Sequence, residues 1–350
     1  MTPLLLYEKL KSITSDIYTL ERCHRLVPFV EKILKLKVEK NALILAHSYV
    51  HPEIIYSVAD HCGDSYGLAK EAKKTDADII VFPAVRFMAE TAKILNPTKI
   101  VIDPNPNGGC TLADSIDAET VLRLREKHPR HTFLCYVNTS AAVKAVCDVC
   151  VTSSNVYKIV ENVPNDKIFF LPDRLMGQNI QNHLKEKKID KELLFYDGTC
   201  YVHEQFEPWQ VDSFKARHPS LKVLAHPECK PEVVQKADVV CSTTGMVDYV
   251  KAHREEDKSF LLLTECGIAS RLQVEHPELK LVGSCALCRY MRSNSLEAIH
   301  SALLDPNPEQ IIDIDPQIMK GAFRSLEAMF EYAEGKHLLL HQVTSLSCLQ

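Results

Sequence analysis

Three stretches of this chain share one grammar: LILAHSYVHPEIIYSVADHCGDS from Leu43, FLCYVNTSAAVKAVCDVCVTSSN from Phe133 and VLAHPECKPEVVQKADVVCSTTG from Val223. Each reads as an apolar strand, a polar turn, a helix and a short second strand. Three sets of landmarks keep step. The turn residues His47, Asn138 and His226 are spaced 91 and 88 positions apart, and the closing hydroxyls Ser65, Ser153 and Ser242 are spaced 88 and 89. The cysteines that end VIDPNPNGGC, LFYDGTC and LVGSCALC, which are Cys110, Cys200 and Cys288, are spaced 90 and 88. Independent landmarks with one period mean that a single unit has been triplicated.

Within each unit, strands alternate with helices: ALILAH, PEIIYSVADH, ADIIVFPA, RFMAETAKIL and KIVIDP in the first. That alternation predicts parallel sheets covered by helices on both faces. The expected fold is therefore α/β, with three pseudo-equivalent αβα sandwich units around a central cavity. Proline-broken segments at 128–132 and 218–221 mark boundaries. They divide the chain into an N-terminal helical flank (1–40), unit one (41–130), unit two (131–218), unit three (219–305) and a C-terminal helical flank (306–350).

Composition narrows the function class. The 350 residues are 46% hydrophobic and 25% charged, and 41 basic against 46 acidic side chains give a net charge of -5. Such a chain buries real cores and lacks the basic excess of a nucleic-acid coat. No apolar run reaches the roughly 18 residues of a membrane span, and the N-terminus turns polar too early for an export signal. A cytoplasmic protein is expected, without a nucleic-acid or membrane partner. In that compartment 13 cysteines are not a disulfide framework.

Ligands of parallel α/β sheets bind beyond the carboxyl ends of the strands, and the unusual residues sit there. A buried thiol alone is most simply a packing residue. Three thiols from three loops meeting at one point suit a soft metal centre, zinc or an iron–sulfur cluster. Three cysteines on a [4Fe–4S] cluster would leave one iron open to substrate as a Lewis acid. Ser65, Ser153 and Thr243 stand where helices start. Their plain reading is N-capping; facing a cavity, they would bind phosphate or carboxylates. His47, Tyr49, Tyr136, His226 and Glu228 can move protons, and His203, three after Cys200, would orient that loop. Arg86 and Lys93 read as a solvated helix face, and the C-x-x-C of Cys147 and Cys150 as core.

These residues resemble a known family. AHSY with PEI, GDS, FMAETAKILNP, GGCTLADS, YVNTSA, TSSN, GTCYVH, HPEC, STTGM, TECGI and CRYM, in order over about residues 40–305, are similar to the quinolinate synthases. The resemblance implies a [4Fe–4S] enzyme of NAD biosynthesis. It would condense iminosuccinate with dihydroxyacetone phosphate to quinolinate, releasing phosphate and two waters, with a functional link to the enzyme that supplies iminosuccinate. It implies Cys110, Cys200 and Cys288 as cluster ligands. Iminosuccinate would be bound by His47, Ser65, Tyr136, Asn138, Ser153, His226, Glu228 and Thr243, and catalysis would fall to Tyr49, Glu228, His226 and Tyr136. Two departures bear on substrate detail: His51 before Pro52, and the loose PNPNGGC turn. Cys285 competes with Cys288, but it lies 85 rather than 88 after Cys200. Another open-iron hydro-lyase acting on a small dicarboxylate, or a non-enzymatic iron–sulfur sensor, are the alternatives.

Overall fold

The computed structural model describes residues 1–13, 17–256, 259–283 and 286–335. Twelve strands form three four-stranded sheets, every pairing parallel. The first holds β1 (Ala42–His47), β2 (His61–Gly63), β3 (Ile79–Val81) and β4 (Ile100–Ile102). The second holds β5 (Thr132–Tyr136), β6 (Val149–Val151), β7 (Lys167–Leu171) and β8 (Glu192–Phe195). The third holds β9 (Leu221–Ala225), β10 (Val239–Val240), β11 (Ser259–Leu263) and β12 (Lys280–Val282). Their orders are β2-β1-β3-β4, β6-β5-β7-β8 and β10-β9-β11-β12, one topology three times. Strands buried on both faces read as near-continuous apolar runs, as ALILAH, TFLCY and LKVLA do.

A polar clamp is built three times, once within each unit, and gives the three units a common register. The Asp60, Asp148 and Asp238 carboxylates accept the N–H of Ile44 (2.8 Å), Phe133 (2.7 Å) and Val223 (2.8 Å), tying each first strand to the chain entering its second. The same three carboxylates pair with Lys37, Arg125 and Lys215, which also donate to the carbonyls of Val58, Val146 and Lys236. Helix Leu20–Glu39, which carries Lys37 and falls in the expected flank, therefore serves unit one as Ala118–Lys127 serves unit two and Pro208–Arg217 unit three.

The clamp corrects one landmark. Counting three residues on from Ile44, Phe133 and Val223 gives His47, Tyr136 and His226, and two further gives Tyr49, Asn138 and Glu228. Asn138 is thus the counterpart of Tyr49 and Glu228, not of the two histidines. The sequence misleads here because Tyr136 ends its strand with an aromatic that looks like strand, whereas the histidines look like turn.

Helix Pro316–Glu334 packs on Ala141–Ala145 and β6. Gly321 permits this approach, since a Cβ there would stand 2.6 Å from the Ala145 carbonyl oxygen. Cys147 and Cys150 are buried in the core of the second sheet. Among the described residues no helix is long and apolar enough to cross a membrane.

Candidate active site

Each of the three cysteines opens the same local structure. Three residues after Cys110, Cys200 and Cys288 begin the short 3-10 turns Ala113–Ser115, His203–Gln205 and Met291–Ser293. The cysteine carbonyls accept the N–H of Asp114 (2.9 Å), Glu204 (3.0 Å) and Arg292 (3.0 Å). The turn also aims backbone N–H groups at sulfur: Leu112 and Ala113 at Cys110, His203 at Cys200, Tyr290 and Met291 at Cys288. Cys285 lies outside the described residues, but Cys288 occupies the place that this turn reserves.

The three thiols lie near enough to act on one another electrostatically. Burial pushes the Cys110 thiol up to about 12, with Cys288 and Glu228 adding to the rise. Burial likewise raises Cys200, reinforced by Glu228 and Cys110, and raises Cys288. Three thiolates with no cation would repel each other in this setting, whereas a bound metal makes the thiolate the favoured form. Three sulfurs, each with backbone N–H groups turned toward it, fit an iron–sulfur cluster, whose sulfurs take such bonds. Cys200, His203 and Glu228 also bring ligand atoms within 4.8 Å of one another, a mixed set that could hold a single ion.

Beside the cysteines runs a continuous hydrogen-bonded chain. Tyr49 Oη lies 2.7 Å from Thr264 Oγ1, which lies 3.0 Å from His203 Nε2. His203 Nδ1 lies 3.1 Å from Glu228 Oε2 and 3.4 Å from Cys200 Sγ. Glu228 Oε1 accepts from Tyr136 Oη at 2.6 Å, and the Ser153 side chain lies beside the Tyr136 hydroxyl. Burial alone would raise the Glu228 carboxyl, but His203, His226 and the bonds from His203 and Tyr136 together hold it below the usual carboxylate range. Burial pushes the Tyr49 and Tyr136 hydroxyls up. The chain thus joins one ionised carboxylate to two neutral phenols.

His47 and His226 repeat one device. The Tyr49 N–H donates to His47 Nδ1 at 3.2 Å, and the Glu228 N–H donates to His226 Nδ1 at 3.4 Å. An accepting Nδ1 puts the ring proton on Nε2. Burial lowers the two imidazoles to about 4 and about 3 respectively, so both are neutral N–H donors. His226 stacks on His203 with ring centroids 4.4 Å apart.

The hydroxyl residues come together, though not as caps. Asp64 caps the helix Ser65–Lys74, Ser242 caps Thr243–His253, and Ser153 lies in the turn before Val156–Asn162. The Asp64 carboxylate also accepts from Ser154 (2.7 Å) and Ser242 (3.3 Å), pinning the three helix starts to one point. Ser65 and Thr243 are therefore first helical residues whose hydroxyls are not spent on capping. Thr243 Oγ1 is buried with no protein partner, and a ligand oxygen would satisfy it. Arg86 and Lys93 donate to backbone carbonyls, of Glu309 and of Pro97 and Lys99. His51 turns outward to the Arg292 carbonyl (2.9 Å) and lines a separate cavity of about 580 Å³.

Sequence reasoning missed Thr264, the bridge between Tyr49 and His203, and placed His203 as a loop support rather than at the middle of the chain. It also passed over Asp173, the buried cap of Arg174–Glu186, whose Oδ2 has no partner and whose carboxyl is raised by burial and then by Glu228.

The chain is similar to known proteins of one family. The family model described as "NadA: Quinolinate synthetase A protein" matches residues 31–331. The chain is 42% identical over 324 residues to quinolinate synthase 2 of Mesorhizobium japonicum, covering 90% of this chain and 97% of that one. It is 43% identical over 300 residues to quinolinate synthase of Xylella fastidiosa, covering 86% of each. To quinolinate synthase of Clostridium acetobutylicum it is 42% identical over 300 residues, covering 85% of this chain and 96% of that one.

Proposed function

The chain belongs to the quinolinate synthase family, enzymes of NAD biosynthesis, and on that premise we propose that it condenses iminosuccinate with dihydroxyacetone phosphate. The products are quinolinate, one phosphate and two waters, which balances the atoms of the two substrates. Cys110, Cys200 and Cys288 would hold a [4Fe–4S] cluster, which supplies a Lewis-acidic iron for a substrate oxygen when bound.

The observation that carries this reading is the hydrogen-bonded chain from Tyr49 to Tyr136 beside three equivalent cysteine turns. Forming a pyridine ring from two acyclic substrates takes an isomerisation and two dehydrations, each needing a proton removed at one atom and delivered at another. Glu228, ionised and hydrogen-bonded to His203, can take a proton. His203 and Thr264 can pass it on, so Tyr49 and Tyr136 give the chain two ends. Neutral His47 and His226 would bind substrate carboxylates through Nε2–H. Ser65, Ser153, Thr243 and Asn138 would supply further donors around the Asp64 junction, all without a formal charge that would trap the product.

Anaerobic purification with iron and sulfide counting, coupled to a quinolinate assay, tests the proposal. About four irons and four sulfides per chain are expected, because three thiolates suffice for a cubane cluster, and air should bleach the protein and end turnover. A colourless protein fully active with a single zinc ion would refute the cluster. A four-iron protein that forms no quinolinate would favour another open-iron hydro-lyase or a sensor.

A further inference from the structure

Lys144 is fully buried, yet among the described residues no carboxylate lies within ion-pair distance of its Nζ. It stands four residues after the N-cap Ser140; the same step from the N-caps His51 and Lys230 reaches Ile55 and Val234. One unit of three has thus exchanged an apolar residue for a lysine. Its Nζ donates to the Val137 carbonyl at 2.8 Å and to the Thr139 carbonyl, and sits 5.5 Å from the centre of the Phe87 ring. Both bonds fall on the turn that carries Asn138, directly after Tyr136.

The repeat shows what the clamp is for. In units one and three the N–H matching Asn138, that of Tyr49 or Glu228, is consumed by an imidazole Nδ1. In unit two the residue at the histidine position is Tyr136, which has no ring nitrogen to accept. The Asn138 N–H accordingly finds no acceptor among the described residues, and neither does that of Ser140. In a planar trans peptide the N–H points opposite the carbonyl, so Asn138 N–H belongs to the peptide whose carbonyl, that of Val137, Lys144 holds. Ser140 N–H belongs likewise to the peptide of the Thr139 carbonyl. A cation on the carbonyl end of a peptide polarises its N–H end toward an anion, and since the Thr139 N–H between them donates to the Val137 carbonyl at 2.8 Å, the alternate N–H groups of Asn138 and Ser140 are the ones left for it.

We propose that Lys144 is a positioning residue that makes the turn from Val137 to Ser140 a carboxylate cradle, with the Asn138 N–H as its principal donor. The clamp holds the turn in shape and lends it positive potential in a site where His47 and His226 carry no charge. The proposal rests on the reading of the substrate as a dicarboxylate.

The test compares wild type, Lys144→Met and Lys144→Gln as anaerobic holoproteins, by calorimetric titration with quinolinate and with succinate, a bare four-carbon dicarboxylate. Loss of a charge-assisted clamp on the bound carboxylate is expected to weaken both ligands about ten- to a hundredfold in Lys144→Met. Lys144→Gln, which keeps donors but no charge, should fall between, and KM should rise more than kcat falls. Should neither variant fold, hydrogen exchange on wild type decides: the amides of Asn138 and Ser140 should gain protection on adding ligand. Variants that melt earlier but bind within threefold of wild type would reduce Lys144 to a packing role and overturn the proposal. So would ligand binding that leaves those amides unprotected, or a wild type that binds neither dicarboxylate. A wild type that binds succinate through Lys144 yet forms no quinolinate would sink the assigned reaction and leave the cradle standing.

Discussion

Lowering the pH should weaken this fold by a route that the two site histidines set. In each, Nδ1 accepts a backbone N–H, at 3.2 Å from Tyr49 and 3.4 Å from Glu228; a proton added there would set N–H against N–H inside a dry site. Burial is the main cause that brings the imidazoles down from 6.5 to about 4 for His47 and to about 3 for His226, where His203 adds to it. With folded values below unfolded ones, the unfolded chain binds the extra protons. Stability is therefore complete above about pH 6.5 and is lost as pH falls toward 4 and then 3. Each pH unit within that window costs about 1.4 kcal/mol per histidine. Because the unfolded histidine is half protonated at 6.5, going from pH 6.5 to 5 removes about 1.5 kcal/mol for each, or about 3 kcal/mol together, a large share of the stability of an ordinary protein. Urea unfolding of anaerobic protein at fixed pH values, for wild type and for His47→Gln/His226→Gln, isolates the effect from any acid lability shared by both. The double variant should lose about 3 kcal/mol less across that interval. Equal pH slopes for the two proteins would refute the reading of both imidazoles as held neutral by burial.

Glu228→Gln should keep iron and sulfide content while lowering kcat about a hundred- to ten-thousandfold, the range for losing a general acid–base group; near-normal turnover would remove Glu228 from the proton path. Thr264→Val, close in shape but unable to hydrogen-bond, should break the link between Tyr49 and His203. A roughly tenfold fall in kcat is expected with about 1–3 kcal/mol of stability lost through the stranded partners, measured by steady-state kinetics and urea melts. Cys288→Ala should fail to retain a full cluster by iron counting, whereas Cys285→Ala should retain it under reducing conditions. Iron lost only from the Cys285 variant would overturn the reading of the third cysteine turn.

The repeat was legible because it is enforced by groups that do not change. Apolar first strands, the acid–base clamps through Asp60, Asp148 and Asp238, and the cysteine turns recur with their chemistry intact. Spacing alone therefore exposed three parallel sheets and brought the cysteines to equivalent places. Its error was two residues long, at Asn138, and came from aligning by side-chain type. Polarity places a turn only to within a residue or two, whereas the clamp hydrogen bonds fix register residue by residue. The capping expectation failed for a related reason. Asp64 and Ser242 are as good caps as the hydroxyls next to them, and only the helix geometry says which residue stands at the boundary.

Thr264 was hidden by the same logic that exposed the cysteines. Cys135 pairs with Leu171 and Ala225 with Leu263 across their sheets, so the residue after each third strand is Pro172 in unit two and Thr264 in unit three. The clamp register puts Ala84 there in unit one. Neither proline nor alanine offers a side-chain hydrogen bond, so comparing units flags the position as unimportant when it is only unshared. Lys144 against Ile55 and Val234 is a second such position. A triplicated scaffold delivers three like loops to one point, but an asymmetric substrate needs unlike groups on them. The residues that differ between units at a fixed register position are therefore where substrate recognition should be sought, and the residues that agree mark the frame and the metal.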